Sequence, residues 1–352
     1  GALAAVVNEA WYQKDKTNLS VRPLIVVENT LAALQEYARY YKKKLNIPAI
    51  AVTGSAGKTT TKEYIASVLS TQFKVHRNFK SFNNHVGVPL TIFGLSPEHE
   101  MAVTEVGTNH FGELDRLSYI IEPSACVITN IGYSHLEFLK SIDGVAKAKM
   151  EIFNHTAKNV VAFINGDDPV LARQTFPASR IVTFGRSKNN SVVATNISGD
   201  EAGFYSFCVN DMSIKLSIPG QHNVLNALAA VAVGMEYKVT MENIKKGIEK
   251  VKPVENRMQI FKDSQVTVID DSYNGNPDSC HAALVTASDM KTGKNGRKIA
   301  VLADMLELGE FSKQEHRNLA EYVKEYGIDT LFLFGKHTQH TLMRAIEIGY
   351  FK

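Results

Sequence analysis

Apolar runs of strand length alternate with amphipathic stretches of helix length along most of the chain. Leu24-Ile-Val-Val27 precedes a stretch from Thr30 to Leu45 in which Leu31, Leu34, Tyr37 and Tyr41 recur at helical spacing, which predicts a helix with those residues on its inner face. Further apolar runs at 49–53, 101–106, 125–129, 160–164 and 181–184 predict strands separated by helix-length segments. Such an alternation predicts a mostly parallel sheet covered by helices on both faces. Between 191 and 218 the pattern shortens, and the segments flanking Asn210-Asp211 predict an antiparallel hairpin region. An alanine-rich helix is predicted from near His222 to about Gly234. Beyond Arg257 the alternation restarts with runs at 266–269, 299–302 and 330–334. The segment Lys252-Pro-Val-Glu-Asn-Arg257 has linker character, so a domain boundary is expected between Arg257 and Met258. The predicted fold class is α/β, with a central domain over 23–257 and a smaller α/β domain over 258–352.

One junction between strand and helix carries chemistry. The β-branched run Ile50, Val52, Thr53 breaks at Gly54-Ser55-Ala56-Gly57-Lys58-Thr59-Thr60, after which Tyr64, Ile65, Val68 and Leu69 return at helical spacing. A strand that turns through glycines into a helix start aims backbone N–H groups at one point, and the helix dipole makes that point attractive to phosphate. Lys58 adds a mobile positive charge, and Thr59 places a hydroxyl where a phosphate-bound Mg²⁺ takes an oxygen ligand. Only two residues separate Gly54 from Gly57, fewer than in the full P-loop pattern. The predicted ligand is a nucleoside triphosphate.

Composition restricts the rest. The chain has 352 residues, 44% hydrophobic and 21% charged, with a net charge of +3 that gives no reason to expect a nucleic-acid or anionic membrane partner. Cys126, Cys208 and Cys280 are few, odd in number and far apart, as expected of reduced thiols in a cytoplasmic protein rather than a disulfide frame or zinc site. No apolar run approaches the roughly 18 residues of a membrane span. A monomer acting on small molecules is expected.

Several polar clusters stay open on the residues alone. Glu105 ends a predicted strand and reads either as a metal ligand near the phosphates or as a salt-bridge partner. His135, after another strand end, reads as a metal ligand or a structural histidine, magnesium preferring oxygen. Lys149 reads by default as a solvated helix lysine. Asn223 and Asn226 share a helix face, where one caps the helix and the other reads a base edge. The segment 270–277 reads as a helix cap and turn, or as a ribose and adenine clamp.

Taken together, Thr53-Gly-Ser-Ala-Gly-Lys-Thr-Thr60, Asn83-Asn-His-Val-Gly-Val-Pro-Leu90, Glu105-Val-Gly-Thr-Asn-His-Phe-Gly-Glu113, Gly220-Gln-His-Asn-Val-Leu-Asn226, Asp271-Ser-Tyr-Asn-Gly-Asn276 and Asp304-Met-Leu-Glu-Leu-Gly309 resemble, in this order, the Mur ligases of peptidoglycan synthesis. The resemblance runs from about Leu24 to Lys336. Within that family, the segment after Asp271 is most similar to the dipeptide-adding branch. The diaminopimelate-adding branch would read nearer Asp-Tyr-Ala-His there, and the D-glutamate-adding branch nearer Asp-Ser-Lys-Ala-Thr.

The resemblance implies an ATP-dependent ligase that joins D-alanyl-D-alanine to UDP-N-acetylmuramoyl-tripeptide through an acyl phosphate. It implies that Gly54, Ser55, Ala56, Gly57, Lys58, Thr59 and Thr60 hold the ATP phosphates. Thr59, Glu105, His135 and a carbamylated Lys149 are implied as the Mg²⁺ side, with two metal sites. Asn223 and Asn226 match adenine-side positions, Arg257 an arginine reaching the γ-phosphate, and Asp271 and Tyr273 nucleotide contacts from the C-terminal domain. Lys58, Lys149, His135 and Arg257 are the implied catalytic set, and Asn83 and Asn84 are expected to face the muramoyl-peptide. Residues 1–22 are expected to be the remnant of a UDP-holding domain, and the C-terminal domain to lack a Lys-Gly-Ser-Arg-type segment. ATP machinery is therefore expected to be complete and UDP anchoring incomplete. Two rival classes are a non-catalytic nucleotide-binding relative, which has no reason to retain Lys58, Glu105, His135, Lys149 and Arg257 together, and a P-loop kinase or motor ATPase, which has no use for Asn223, Asn226 and the Asp271 cluster.

Overall fold

The computed structural model describes residues 3–14, 23–79, 81–263 and 265–350. In chain order the first elements are β1 (Ala5–Asn8), α1 (Glu9–Lys14), β2 (Leu24–Val27), α2 (Thr30–Leu45), β3 (Ala49–Thr53), α3 (Lys58–Leu69), β4 (Val75–Arg77), α4 (Gly87–Phe93) and β5 (Met101–Glu105). There follow α5 (Glu113–Ile121), β6 (Ala125–Ile128), α6 (Leu136–Leu139), α7 (Ile142–Met150), β7 (Val161–Asn165), β8 (Arg180–Gly185) and β9 (Val192–Val193). The strands β10 (Thr195–Gly199), β11 (Tyr205–Val209) and β12 (Met212–Lys215) lead into α8 (His222–Glu236) and α9 (Met241–Glu249). The C-terminal part holds β13 (Gln259–Lys262), β14 (Thr267–Asp270), α10 (Pro277–Asp289), β15 (Ile299–Ala303), α11 (Ser312–Glu325), β16 (Thr330–Phe334) and α12 (Gln339–Glu347).

A seven-stranded parallel sheet, ordered β4-β5-β3-β6-β7-β8-β9, organises the central unit. Its middle strands β3, β5 and β6 are buried at every position, as a sheet covered on both faces requires. Alternation along β3 splits the core in two. Ile50 and Val52 pack with α3 and α8 residues such as Tyr64, Val68 and Leu228, while Ala49 and Ala51 join a second cluster with Leu114, Leu117 and Val145 of α5 and α7. The second cluster continues into the C-terminal part through Leu284, Met305, Leu308 and Leu319. Apolar surface removed from water at about 25 cal/mol per Å² is the main force holding that part against the central unit.

The antiparallel region is a three-stranded sheet, β10-β11-β12, whose β11–β12 turn places Asn210 and Asp211 at φ 46° and 64°. Two readings need correction. On α2 the buried positions are Gln35, Ala38 and Lys42, whereas Tyr37 is 60% exposed and its ring tilts against Phe93. The inward stripe is rotated because Gln35 and Lys42 find partners there: Gln35 donates to the His85 carbonyl at 3.0 Å and accepts from Arg116 at 2.8 Å. Polar groups so satisfied can be buried, and periodicity of apolar residues alone does not register them. Second, the run at 266–269 does not open a parallel unit by itself. Thr267–Asp270 pairs antiparallel with Gln259–Lys262, a strand absent from the sequence reading, while β15 and β16 pair parallel as a separate two-stranded sheet. At the linker, Asn256 and Met258 both adopt left-handed φ (58° and 49°), so the chain turns sharply on either side of Arg257.

Candidate functional site

The phosphate loop is shaped by glycine and pinned from outside. Gly54 and Gly57 have φ of 148° and 77°. A Cβ at Gly54 would lie 1.8 Å from Thr129 Oγ1, and one at Gly57 2.3 Å from Asn226 Oδ1, so both positions exclude side chains. The loop after β6 holds the turn. Asn130 Oδ1 accepts from the Ser55 and Ala56 amides at 3.0 and 2.9 Å, Thr129 Oγ1 donates to the Ala56 carbonyl at 2.6 Å, and Ser134 donates to Ser55 Oγ at 3.0 Å. Lys58, the first residue of α3, folds over the loop and donates to the Gly54 and Ser55 carbonyls at 2.8 and 3.2 Å. Burial pushes its ammonium below the usual lysine range, with Glu105 opposing and Arg257 adding to the effect. Thr60 follows in the same turn, half-buried.

Glu105 is clamped on all sides. Thr59 Oγ1 donates to its Oε2 at 2.8 Å and Asn83 Nδ2 to its Oε1 at 2.7 Å. Asn78 brackets its backbone, accepting from the Glu105 amide at 3.0 Å and donating to its carbonyl at 3.3 Å. Lys62, fully buried, in turn donates to the Asn78 carbonyl at 3.1 Å. Glu105 is 1% exposed, its carboxylate oxygens are bonded to a hydroxyl and an amide, and among the described residues no cation lies within ion-pair range of it. Asn84 uses its Oδ1 to accept from the Val86 and Gly87 amides at the start of α4.

Lys149 is no solvated lysine. It projects from α7 and is 1% exposed, and among the described residues no carboxylate lies within ion-pair range of it. Burial, then the charge of Lys58, push its amine well below the ordinary lysine range. His135 stands at φ 54° in the turn before α6, with Nδ1 hydrogen-bonded to Glu307 from the C-terminal part. Burial and the Lys58 charge push the imidazole down, Glu307 opposing. Lys58, Lys149 and His135 thus feel one another's charge. Among the described residues, no three His, Cys, Asp or Glu side chains converge into a metal cluster.

Asn223 and Asn226 do not cap α8; Gln221 occupies that position, with no side-chain cap bond. Both are buried, and they brace the loop. Asn226 accepts from Thr61 at 3.2 Å and donates to Asn223 at 2.8 Å, and Asn223 donates to the Pro219 carbonyl at 2.7 Å. At the linker, Arg257 stacks on the ring of Tyr273 from the C-terminal part at 4.1 Å, and Tyr273 Oη meets the Ser81 hydroxyl. Asp271 Oδ1 accepts from the Met258 amide at 3.1 Å. Burial raises Asp271 to about 6, the Met258 amide and Arg257 opposing. Asn276 both caps α10 and reaches the Ser55 carbonyl at 3.5 Å.

Around the phosphate loop, then, Thr59, Glu105 and Asn83 form one hydrogen-bonded group, Lys149 and His135 lie within the field of Lys58, and Asn226 abuts Gly57. Asn78, Thr129, Asn130 and Ser134 are further participants that the sequence reading did not single out, while Asn276 and Glu307 stood within its motifs without a role of their own, apart from the helix cap allowed for in 270–277. Asn78 carried no signal beyond its position after a short strand. Asn130 follows a strand end in an α/β sheet, where ligand sites gather, and was legible in that limited sense.

Residues 52–234 match the family described as Mur ligase middle domain, and residues 256–350 the one described as Mur ligase, glutamate ligase domain. The chain belongs to the Mur ligase family. This Mur ligase is 39% identical over 316 residues to UDP-N-acetylmuramoyl-tripeptide–D-alanyl-D-alanine ligase of Bacillus subtilis, covering 89% of this chain and 68% of that one. It superposes on the crystal structure of MurF from Acinetobacter baumannii with a TM-score of 0.85 and 32% identity, over 96% of this chain and 73% of that one. The fold is shared as well with the MurF ligase of Thermotoga maritima, solved in complex with ADP, at a TM-score of 0.81 and 24% identity, over 99% and 88% of the two chains. Among the described residues, no helix of this Mur ligase is long and apolar enough to cross a membrane.

Proposed function

We infer that this chain is an ATP-dependent amide ligase of peptidoglycan precursor synthesis, joining D-alanyl-D-alanine to UDP-N-acetylmuramoyl-tripeptide through an acyl phosphate. The name shared by its relatives supports the substrates. The observation that carries the chemistry is the glycine-shaped phosphate loop beside the clamped Glu105 carboxylate and the buried, acid-free Lys149 amine. In the first step the γ-phosphoryl group passes to the terminal carboxylate of the tripeptide. Two anions must approach, so positive charge and exclusion of water are what the protein has to supply. In the second step the dipeptide amine attacks the acyl phosphate, and phosphate leaves as the amide forms.

On this reading the backbone of 54–60 holds the phosphates, and Lys58 exchanges its loop carbonyls for phosphate oxygens. The Thr59 hydroxyl and the Glu105 carboxylate already meet, an oxygen pair of the kind magnesium takes, and His135 would join them on the metal side. Bound Mg²⁺, at two sites, would offset charge on the phosphates. Lys149 fits a carbamate: as a neutral amine it adds to the carbon of CO₂, forming an N–C bond and releasing one proton, which leaves an anion within the field of Lys58 and His135. Arg257 approaches the γ-phosphate from the hinge, Asp271 and Tyr273 contact the nucleoside, and Asn223 and Asn226 line its base side. Asn83 and the outward amide of Asn84 face the muramoyl-peptide. The central catalytic unit spans 23–257 and the C-terminal unit 258–352, in a monomer.

The test is ADP release with UDP-N-acetylmuramoyl-tripeptide, with and without D-alanyl-D-alanine, and mass spectrometry of the product. Release that requires both acceptor and dipeptide and yields the pentapeptide is expected. ATP turnover indifferent to the dipeptide would overturn the reading.

A further inference from the structure

Glu307 joins two parts of the molecule at one side chain of the site. Its carboxylate accepts the Nδ1 proton of His135, and its carbonyl accepts from the Glu137 amide at 3.0 Å. Both partners sit in left-handed backbone, His135 at φ 54° and Glu307 at φ 61°. For residues with a Cβ that conformation costs about 1 kcal/mol or more each, and it persists where surrounding structure over-determines it. Two neighbours of Glu307 supply that over-determination. Met305 and Leu308 are 1% and 2% exposed in the core cluster that also contains Leu136 and Leu139, the first and last residues of α6. Gly309 brings its backbone so close that a Cβ there would lie 3.0 Å from Glu137 Cα, and Phe311 sets its ring edge to Tyr133. The segment 305–311 is thus bolted onto the turn that carries His135. Its apolar residues do the docking, and Glu307 alone of them reaches the imidazole.

An imidazole whose Nδ1 proton is given to a carboxylate is fixed in tautomer and rotation, and its Nε2 is left as the lone-pair atom. Among the described residues, no hydrogen bond occupies Nε2 of His135. We propose that Glu307 is a positioning residue that holds His135 in its ligand tautomer from the C-terminal unit, so that the metal side of the site is complete only when the two units are docked. The inference rests on the ligase reading above. It goes beyond that reading by giving the C-terminal unit a part in metal binding besides its contacts with the nucleotide.

The experiment measures, for the whole chain, the Mg²⁺ concentration needed for half-maximal binding of a non-hydrolysable ATP analogue by calorimetry. It also records the ¹⁵N shifts of the His135 ring. In the unsubstituted protein the shifts should report a proton on Nδ1. Glu307→Leu should raise the Mg²⁺ requirement about tenfold, in line with the loss of other partners behind metal-ligating histidines, and should release the tautomer. Glu307→Gln keeps shape and an acceptor oxygen but loses the charge, and should raise the requirement at least about twofold. If the leucine variant does not fold, the glutamine variant decides alone. An unchanged Mg²⁺ requirement and unchanged ring shifts in a folded variant would show that Glu307 merely docks the segment. Absence of any Mg²⁺-dependent nucleotide binding by the unsubstituted protein would instead remove the ligase reading itself.

Discussion

The two halves of the site are built differently. On the central side, Glu105, Lys149, Asn223 and Asn226 are buried, and the phosphate loop is held by hydrogen bonds from Asn130, Thr129 and Ser134 within the same core. On the C-terminal side, Tyr273 is 51% exposed, Arg257 is held by a stacked ring, and Asn276 reaches the loop through a single long bond of 3.5 Å. Hydrogen bonds to buried charged groups contribute about 1.5–3 kcal/mol each, against about 0.5–1 kcal/mol for an exposed cation–π contact. The central half is therefore set before any ligand arrives, whereas the side chains that the C-terminal unit brings to the loop are held more weakly, although that unit is itself docked through Met305, Leu308 and Leu319. Catalysis by preorganised charge needs the first property, and admission of nucleotide and release of product need the second.

Substitutions can break this contrast, and the largest effect is expected at Lys149. Lys149→Ala removes the amine from its buried site, and ligation should fall to the uncatalysed level, with partial return on adding a small carboxylic acid such as formate. Full activity in Lys149→Arg would show that plain positive charge suffices there and would end the carbamate reading. Lys58→Ala comes next. The side chain touches only loop carbonyls, so melting temperature should stay near that of the parent while turnover drops about 10²-fold or more. Near-normal kcat would mean that the preformed loop does not hold the transferring phosphate.

The smallest effect is expected on the C-terminal side and concerns pH. Asp271 is raised from 3.8 to about 6 in the folded chain, chiefly by burial. Between those values the folded state keeps a proton that the unfolded state has lost. Stability from this group therefore falls as pH rises from about 4 to about 6, and is level beyond. At about 1.4 kcal/mol per unit, the charged form costs at most about 3 kcal/mol at neutral pH. Asp271→Asn should accordingly gain more stability over the parent at pH 7 than at pH 4 in paired denaturant titrations. An equal difference at both pH values would place Asp271 in a solvated, freely ionised setting and sharpen the contrast between the halves.

Local pattern and local chemistry explain which parts were legible beforehand. The central strands were, because a parallel sheet buried on both faces leaves uninterrupted apolar runs. So was the phosphate loop, because its two glycines are demanded by backbone geometry within a few residues. Helix α2 was placed correctly along the chain but rotated, since Gln35 and Lys42 are drawn inward by carbonyls far away in sequence. Strand β13 escaped because Gln-Ile-Phe-Lys shows its character only when paired with β14.

The sequence by itself thus determined the α/β class, the central strands, the glycine turn between β3 and α3 and the family whose motifs the chain carries. Tertiary structure alone decided that Lys149 is buried with no carboxylate in ion-pair range among the described residues, that Asn78 and Asn83 clamp Glu105, and that Glu307 meets His135 across 172 positions of chain. The physical reason is that burial and pairing belong to the packed arrangement. A lysine carries the same letter whether water or a neighbouring lysine surrounds it, and only the packed core decides which it meets.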